Sequence, residues 1–121
     1  MEHATLFQVT ITPEWSQAIV EFLTEKVLPT DWTKARCKAL QIEAEKYTLI
    51  QDQLYKRGPN DQLRLCAHEN EYIPLLEQAH GSIAGGHFSA ERTIKIILTA
   101  GIWWPTLHED IEEFVKRCDE C

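Results

Sequence analysis

Two histidines and two cysteines in the last third of the chain have the residue types and spacing of metal ligands. His80 and His87 flank the loop GSIAGG, and Cys118 and Cys121 follow as a C-x-x-C pair. Two imidazoles and two thiolates complete a tetrahedral zinc site with no position open for water, which is typical of a structural metal. We therefore predict one structural Zn²⁺. A redox-active cysteine pair is the alternative, but such pairs accompany a βαβ pattern that this sequence lacks.

Three helical segments would position these ligands. The first spans 69–79 and ends at His80, and the second begins where Ser89 provides a hydroxyl cap. The third begins at Thr106, which matches a capping box with Glu109. The apolar positions of the first helix are Tyr72, Ile73, Leu75, Leu76 and Ala79. Those of the third helix, which share one face with Cys118, are Leu107, Ile111, Phe114 and Val115. A metal would thus join the beginning and the end of a small helical bundle.

The N-terminal half begins with two more helical segments. Thr12-Pro13-Glu14 has the hydroxyl, proline and carboxylate typical of a helix start, and the helical pattern continues to Pro29. A second start at Thr30-Asp31 opens a helix that ends near Lys46. Its predicted apolar side contains Trp32, Ala35, Ala39 and Ile42.

Three short β-like runs follow these helices, at 48–50, 53–57 and 62–67. Gln51-Asp52 fits a tight hairpin although neither residue is glycine, and GPND at 58–61 is a clear turn. We predict an α+β fold, in which helices and a three-stranded antiparallel sheet precede a zinc-stapled helical bundle. The predicted division is a lead-in over 1–11, an α/β extension over 12–68 and the zinc-binding domain over 69–121.

Several other chemically distinctive residues have a structural explanation. Cys37 and Cys66 are expected to be small buried hydrophobes rather than ligands. Trp103 and Trp104 could form a platform for nucleic-acid bases, but packing of one or both indoles in the core is favoured. The acidic run of the last helix is expected to be a solvated face: Glu109, Asp110, Glu112 and Glu113.

Composition limits the possible partners. The chain has 121 residues and a formal net charge of −7, so tight nucleic-acid binding by this chain alone is disfavoured. The best candidates for phosphate contacts are Lys34, Arg57 and Arg64. The sequence has neither a run of apolar residues long enough to span a membrane nor a secretory signal. We expect a protein of the nucleus, the cytoplasm or a virus-like particle that is not secreted.

The C-terminal sequence resembles a known family of domains. The paired histidines, the aromatic-Trp-Pro triplet, the Asp-Ile pair and the closing C-x-x-C cover 80–121 without a gap. They resemble the zinc-binding N-terminal domain of integrases from gypsy-type long-terminal-repeat retrotransposons and retroviruses. The upstream elements LYKRG and LRLCA resemble the region between ribonuclease H and integrase in the same polyproteins.

The resemblance implies a non-catalytic part of an integrase. In that family a separate core domain with a carboxylate triad joins DNA, and it is expected to follow this region. The zinc domain would take part in multimerisation with other integrase subunits, as a homo-oligomer, and in positioning element DNA ends within the assembly. The alternative is a domesticated or degenerate protein-interaction module that retains the zinc fold but has lost DNA integration.

Overall fold

The computed structural model describes residues 12–80 and 89–117. The chain divides into two compact units, Met1–Cys66 and Ala67–Cys121. Both contain helices and strands, so the predicted α+β class is confirmed. In the described part of the chain, no helix is long and apolar enough to cross a membrane.

The first unit begins with helix α1, which spans Gln17–Glu25. A 3₁₀ turn, Glu14–Ser16, precedes it, because the Ser16 hydroxyl and backbone N–H both bond the carbonyl of Pro13. The helix therefore begins later than the predicted start at Thr12. It also ends before Pro29, at Glu25, because Lys26 adopts a left-handed conformation with φ 60° and its N–H bonds the Phe22 carbonyl.

Helix α2 spans Lys34–Ala44 and is capped by Thr33, whose hydroxyl accepts a hydrogen bond from the Arg36 N–H at 3.1 Å. The predicted start at Thr30 is therefore wrong by one turn. The apolar side named from the sequence is not the side that the structure buries. Leu40 and Ala44 are buried and Cys37 is half-buried, whereas the opposite side is exposed at Ala35, Ala39 and Ile42. This helix has apolar residues on two sides, and sequence periodicity does not show which side the sheet covers.

Strands β1 (Tyr47–Ile50), β2 (Gln53–Arg57) and β3 (Leu63–Cys66) pair antiparallel in chain order. Tyr47, Leu54 and Cys66 are buried, and the Trp15 ring lies 5.9 Å from the Tyr47 ring. The strands thus supply one side of a core that also includes Ile19, Leu40 and Ala44.

The second unit contains three helices: α3 (Tyr72–His80), α4 (Ala90–Thr99) and α5 (Leu107–Lys116). Its core includes the buried residues Ala67, Leu76, Ala79, Ile97, Trp104, Leu107 and Ile111. Ile73, one of the apolar positions of the predicted helix, lies outside this core and is 55% exposed.

A fourth strand, β4 (Ile102–Trp103), lies in the second unit, and the prediction of three strands missed it. It follows α4 through Gly101, whose φ of 89° suits glycine. The backbone N–H of Ala67 donates to the Trp103 carbonyl at 2.9 Å. A strand of two residues is too short to show an alternating pattern, and its hydrogen-bond partner Ala67 is distant in sequence. Local sequence therefore does not predict this strand.

The turn between β1 and β2 is the predicted two-residue hairpin. Gln51 and Asp52 have φ angles of 51° and 66°, and Ile50 pairs directly with Gln53. Positive φ at both central residues is the geometry in which asparagine and glycine are preferred. The sequence therefore places two side chains in a conformation that costs backbone strain.

We predict that Asp52→Gly stabilises the protein by about 0.5–1 kcal/mol, because relief of left-handed strain exceeds the added entropy of the unfolded glycine. The matched control is Gln53→Gly, one residue later within strand β2, where glycine should destabilise. Thermal unfolding of both variants checks this. Equal losses of stability in both variants would contradict the turn assignment.

Candidate metal centre

His80 is the predicted ligand that the structure describes, and it lies inside the second unit. It is the last residue of α3 and is 2% exposed, with its Nδ1 atom shielded from solvent. Its ring meets the ring of Phe114 edge-on, at 5.8 Å and 85°. Phe114 belongs to α5 and precedes Cys118 by four residues in the sequence. The buried histidine is therefore held against the helix that leads to the predicted cysteine ligands.

The other predicted ligands, His87, Cys118 and Cys121, lie outside the described residues. Within 12–80 and 89–117, no three His, Cys, Asp or Glu side chains come together as a metal site. The donor set of two imidazoles and two thiols suits zinc. A buried imidazole that packs edge-on against Phe114 suits the same metal. His80, the described member of the set, therefore fits a structural zinc, and a site shared with the other three residues stays a prediction.

Trp104 fixes the geometry between α3 and α5. Its side chain is 0% exposed, and the ring of Tyr72 stacks on it at 4.3 Å and 13°. Its Nε1 donates to Asp110 Oδ2 at 2.8 Å, so the buried indole N–H is satisfied by α5 itself. Tyr72 begins the helix that ends at His80. This tryptophan thus connects the helix of the first ligand with the helix before the last two.

The prediction for the acidic run is wrong at Asp110. Its carboxylate accepts hydrogen bonds from the Trp104 indole and, at 2.7 Å, from the Thr106 hydroxyl. The predicted capping box of Thr106 with Glu109 is also wrong, since the hydroxyl is directed at Asp110 and makes no cap hydrogen bond. A carboxylate in the first turn, six residues after a buried tryptophan, is the signal that could have indicated this role.

The two tryptophans do not both suit base stacking. Trp104 is fully buried, which confirms the interpretation that at least one indole fills the core. Trp103 is half-buried within β4.

Helix α4 begins as predicted at Ser89, whose hydroxyl accepts a hydrogen bond from the Arg92 N–H at 3.2 Å. Thr93 is 0% exposed, and its hydroxyl donates to the Ser89 carbonyl at 2.8 Å. Two hydrogen bonds to Ser89 thus fix the start of α4: its hydroxyl accepts from the Arg92 N–H, and its carbonyl accepts from the Thr93 hydroxyl. Ser89 follows the predicted ligand His87 by two residues in the sequence.

Cys37 and Cys66 belong to the first unit. Cys66 is 3% exposed, and burial raises the pKa of its thiol from 9.0 to about 12. Metal binding requires the thiolate, which such burial disfavours. The Cys37 sulfur lies 3.8 Å from the Pro29 carbonyl oxygen. Cys66 therefore has the predicted burial, whereas Cys37 is only half-buried.

The predicted phosphate-contacting residues lie on three elements. Lys34 is exposed at the first position of α2, whereas the Arg57 guanidinium donates to the Glu45 carbonyl at 3.0 Å. Arg64 donates to the Gln62 side chain at 3.2 Å. Arg57 is paired with Leu63, so alternation along the strand directs Arg57 and Arg64 to opposite faces of the sheet. These two arginines therefore do not form one phosphate-binding surface.

A groove of about 260 Å³ lies between α3 and α5. Its apolar lining comes from Tyr72, Ile73, Leu76 and Phe114, and its charged lining from Glu69, Asp110, Glu113 and Arg117. Glu113 and Arg117 form an ion pair at 3.0 Å with both side chains largely exposed. Such a pair adds little stability.

One of three comparisons with known proteins matches the C-terminal segment. Residues 68–121 match the family model of the integrase zinc binding domain. This range covers the whole second unit apart from Ala67. Comparisons with curated proteins and with solved structures found no match.

We predict that Asp110→Ala destabilises the second unit by about 1–3 kcal/mol, because it leaves the buried Trp104 N–H without an acceptor. The matched control is Glu112→Ala on the same helix, an exposed site where the change should stay within about 0.5 kcal/mol. Urea unfolding followed by tryptophan fluorescence measures both. Similar losses in the two variants would show that Asp110 is an ordinary surface carboxylate.

Proposed function

We propose that this chain is the non-catalytic N-terminal region of a retroelement integrase, because residues 68–121 match the family model of the integrase zinc binding domain. In this proposal the domain supports multimerisation and positions element DNA ends during integration. The family match carries the proposal, and the buried His80 at the end of α3 supports it.

The proposed metal role is architectural. One Zn²⁺ bound by His80, His87, Cys118 and Cys121 would have all four tetrahedral positions filled by protein. Such a site cannot activate water or polarise a substrate, because both require an open position. When bound, the metal would supply cross-linking free energy to a unit whose described core cluster has seven buried apolar residues. In this proposal the zinc stabilises the folded unit, and partners contact the surface of that unit rather than the metal.

The charge distribution supports a role within a larger assembly. The formal charge is −7, and the two strand arginines point away from each other. Long-range repulsion of phosphate would then be overcome only when partner subunits or a further domain supply positive charge.

The acidity also favours a second candidate function, a domesticated zinc-stabilised interaction module without a role in integration. The two candidates share the metal site and differ in their dependence on DNA. A partner that binds the folded zinc unit equally well with and without element-end DNA would favour the interaction module.

We expect one zinc per chain, and Cys118→Ser should abolish stoichiometric loading because the remaining three ligands bind zinc far more weakly. Native mass spectrometry of the whole chain measures the metal count. Cys37→Ala is the matched control and should retain one zinc, since its thiol lies in the first unit. Loss of zinc in the control, with full loading of Cys118→Ser, would require a different ligand set.

We expect the isolated chain to bind a short DNA duplex weakly at about 150 mM salt and more tightly as salt is lowered. Fluorescence anisotropy with a labelled duplex measures the dissociation constant across a salt series. Lys34→Gln should weaken binding at low salt, whereas Lys26→Gln, an exposed lysine outside the proposed contacts, should change it less. Submicromolar affinity at about 150 mM salt would contradict the assembly-dependent role.

A further inference from the structure

Helix α2 has an unusual arrangement of side chains. With one residue every 100°, Ala35, Ala39 and Ile42 lie on the side opposite the inward-facing Leu40 and Ala44. All three are exposed, and Ile42 is among the most exposed large apolar residues of the described chain, at 52%. We call Ala35, Ala39 and Ile42 the outer strip of α2. The helix therefore has two apolar sides, of which its own unit covers one.

The charged residues of α2 are arranged in the order that the helix dipole disfavours. The first turn contains Lys34 and Arg36 and no acidic residue, while Glu43 and Glu45 lie at the other end. A helix is stabilised by negative charge at its N-terminus and positive charge at its C-terminus. Within one chain this order is unfavourable. It becomes favourable if a second helix of the same sequence packs antiparallel to the first.

We propose that the outer strip of α2 is a self-association surface, on which α2 of a second copy of this chain packs antiparallel. A two-fold axis beside the midpoint of the helix places Ala35 opposite Ile42 of the second copy. Such a contact is isologous, so each favourable pair occurs twice. The small alanines allow close approach, and each isoleucine packs beside an alanine.

The same symmetry matches the flanking charges. On the helical wheel Lys34 and Glu45 lie on one flank of the outer strip, and Arg36 and Glu43 on the other. In an antiparallel pair related by a two-fold axis, each flank of one helix faces the same flank of the other helix. Lys34 then falls within about 3 Å, along the axis, of Glu45 of the second copy, and Arg36 falls equally near Glu43 of the second copy.

Two observations show that Arg36 and Glu43 already have partners within their own chain. Glu43 already lies 3.1 Å from the Lys46 amine, and the Arg36 guanidinium stacks 3.7 Å above the Trp32 ring. The pair of Lys34 with Glu45 of the second copy therefore gives the cleaner test. Lys38 lies near the axis and approaches Lys38 of the second copy, so this pair opposes association.

The surface is small. A helix of 11 residues is about 16 Å long, and interfaces burying less than about 1,200 Å² are typical of weak complexes. The dimer should thus be weak in dilute solution. It should become effective when another contact holds two chains together and raises their local concentration. The surface belongs to the first unit, so it does not rest on the proposed zinc function.

Sedimentation equilibrium of the whole zinc-loaded chain, from about 10 to about 500 μM, tests the proposal. We expect reversible dimerisation, and Ile42→Glu should raise the dissociation constant at least about tenfold. Lys34→Glu should raise it severalfold, and adding Glu45→Lys to that variant should restore it to within about twofold. Lys38→Gln should lower it. Circular dichroism confirms that each variant is folded, as expected for exposed positions.

The matched control is Ile73→Glu, at an equally exposed isoleucine in the groove of the second unit, and it should leave the dissociation constant unchanged. A chain that stays monomeric over the whole range would overturn the proposal. So would dissociation by Ile73→Glu but not by Ile42→Glu, or failure of Glu45→Lys to rescue Lys34→Glu. Each of these results leaves the zinc count unaffected, so failure here is distinguishable from failure of the proposed function.

Discussion

The hydrogen bond from the Trp104 indole to Asp110 is the interaction on which the second unit depends. Trp104 is the largest fully buried side chain of the described residues, and burial of its N–H is tolerated only with an acceptor. Asp110 provides that acceptor from the first turn of α5, where a carboxylate also favours the helix dipole. Tyr72 completes the arrangement by stacking on the indole from the start of α3. One side chain thus sets the spacing of the two helices beside which the metal site is proposed.

Much of this fold could be predicted because its signals are local. The Ser89 cap and the Gln51-Asp52 hairpin depend on a few consecutive residues, and the core face of α5 follows a strict helical period. Predictions failed where a distant element decides the outcome. Periodicity in α2 could not show which apolar side faces the sheet, and β4 depends on Ala67, far away in sequence. The spacing of Trp104 and Asp110 is visible in the sequence, but burial of the indole, which makes Asp110 its acceptor, is a property of the fold.

The candidate site also has features that local sequence predicts and features that only the fold determines. The ligand types and spacing are sufficient to predict a structural zinc, and the same segment matches the family model of the integrase zinc binding domain. Whether the predicted phosphate contacts share one surface depends on the fold, and scattered basic residues in a sequence do not show it. Strand pairing separates Arg57 from Arg64, although the two are close in sequence and lie on adjacent strands.

The position of His80 as the final residue of α3 has an energetic consequence. The last carbonyl groups of a helix carry a partial negative charge, equivalent to roughly half an elementary charge. A cation held by His80 would lie near that end, so its positive charge and the aligned peptide dipoles of α3 would favour each other. Completion of the last helical turn and binding of the proposed metal would then be coupled equilibria. The unit would gain helix order as it bound the metal, and the ordered helix would in turn raise the metal affinity.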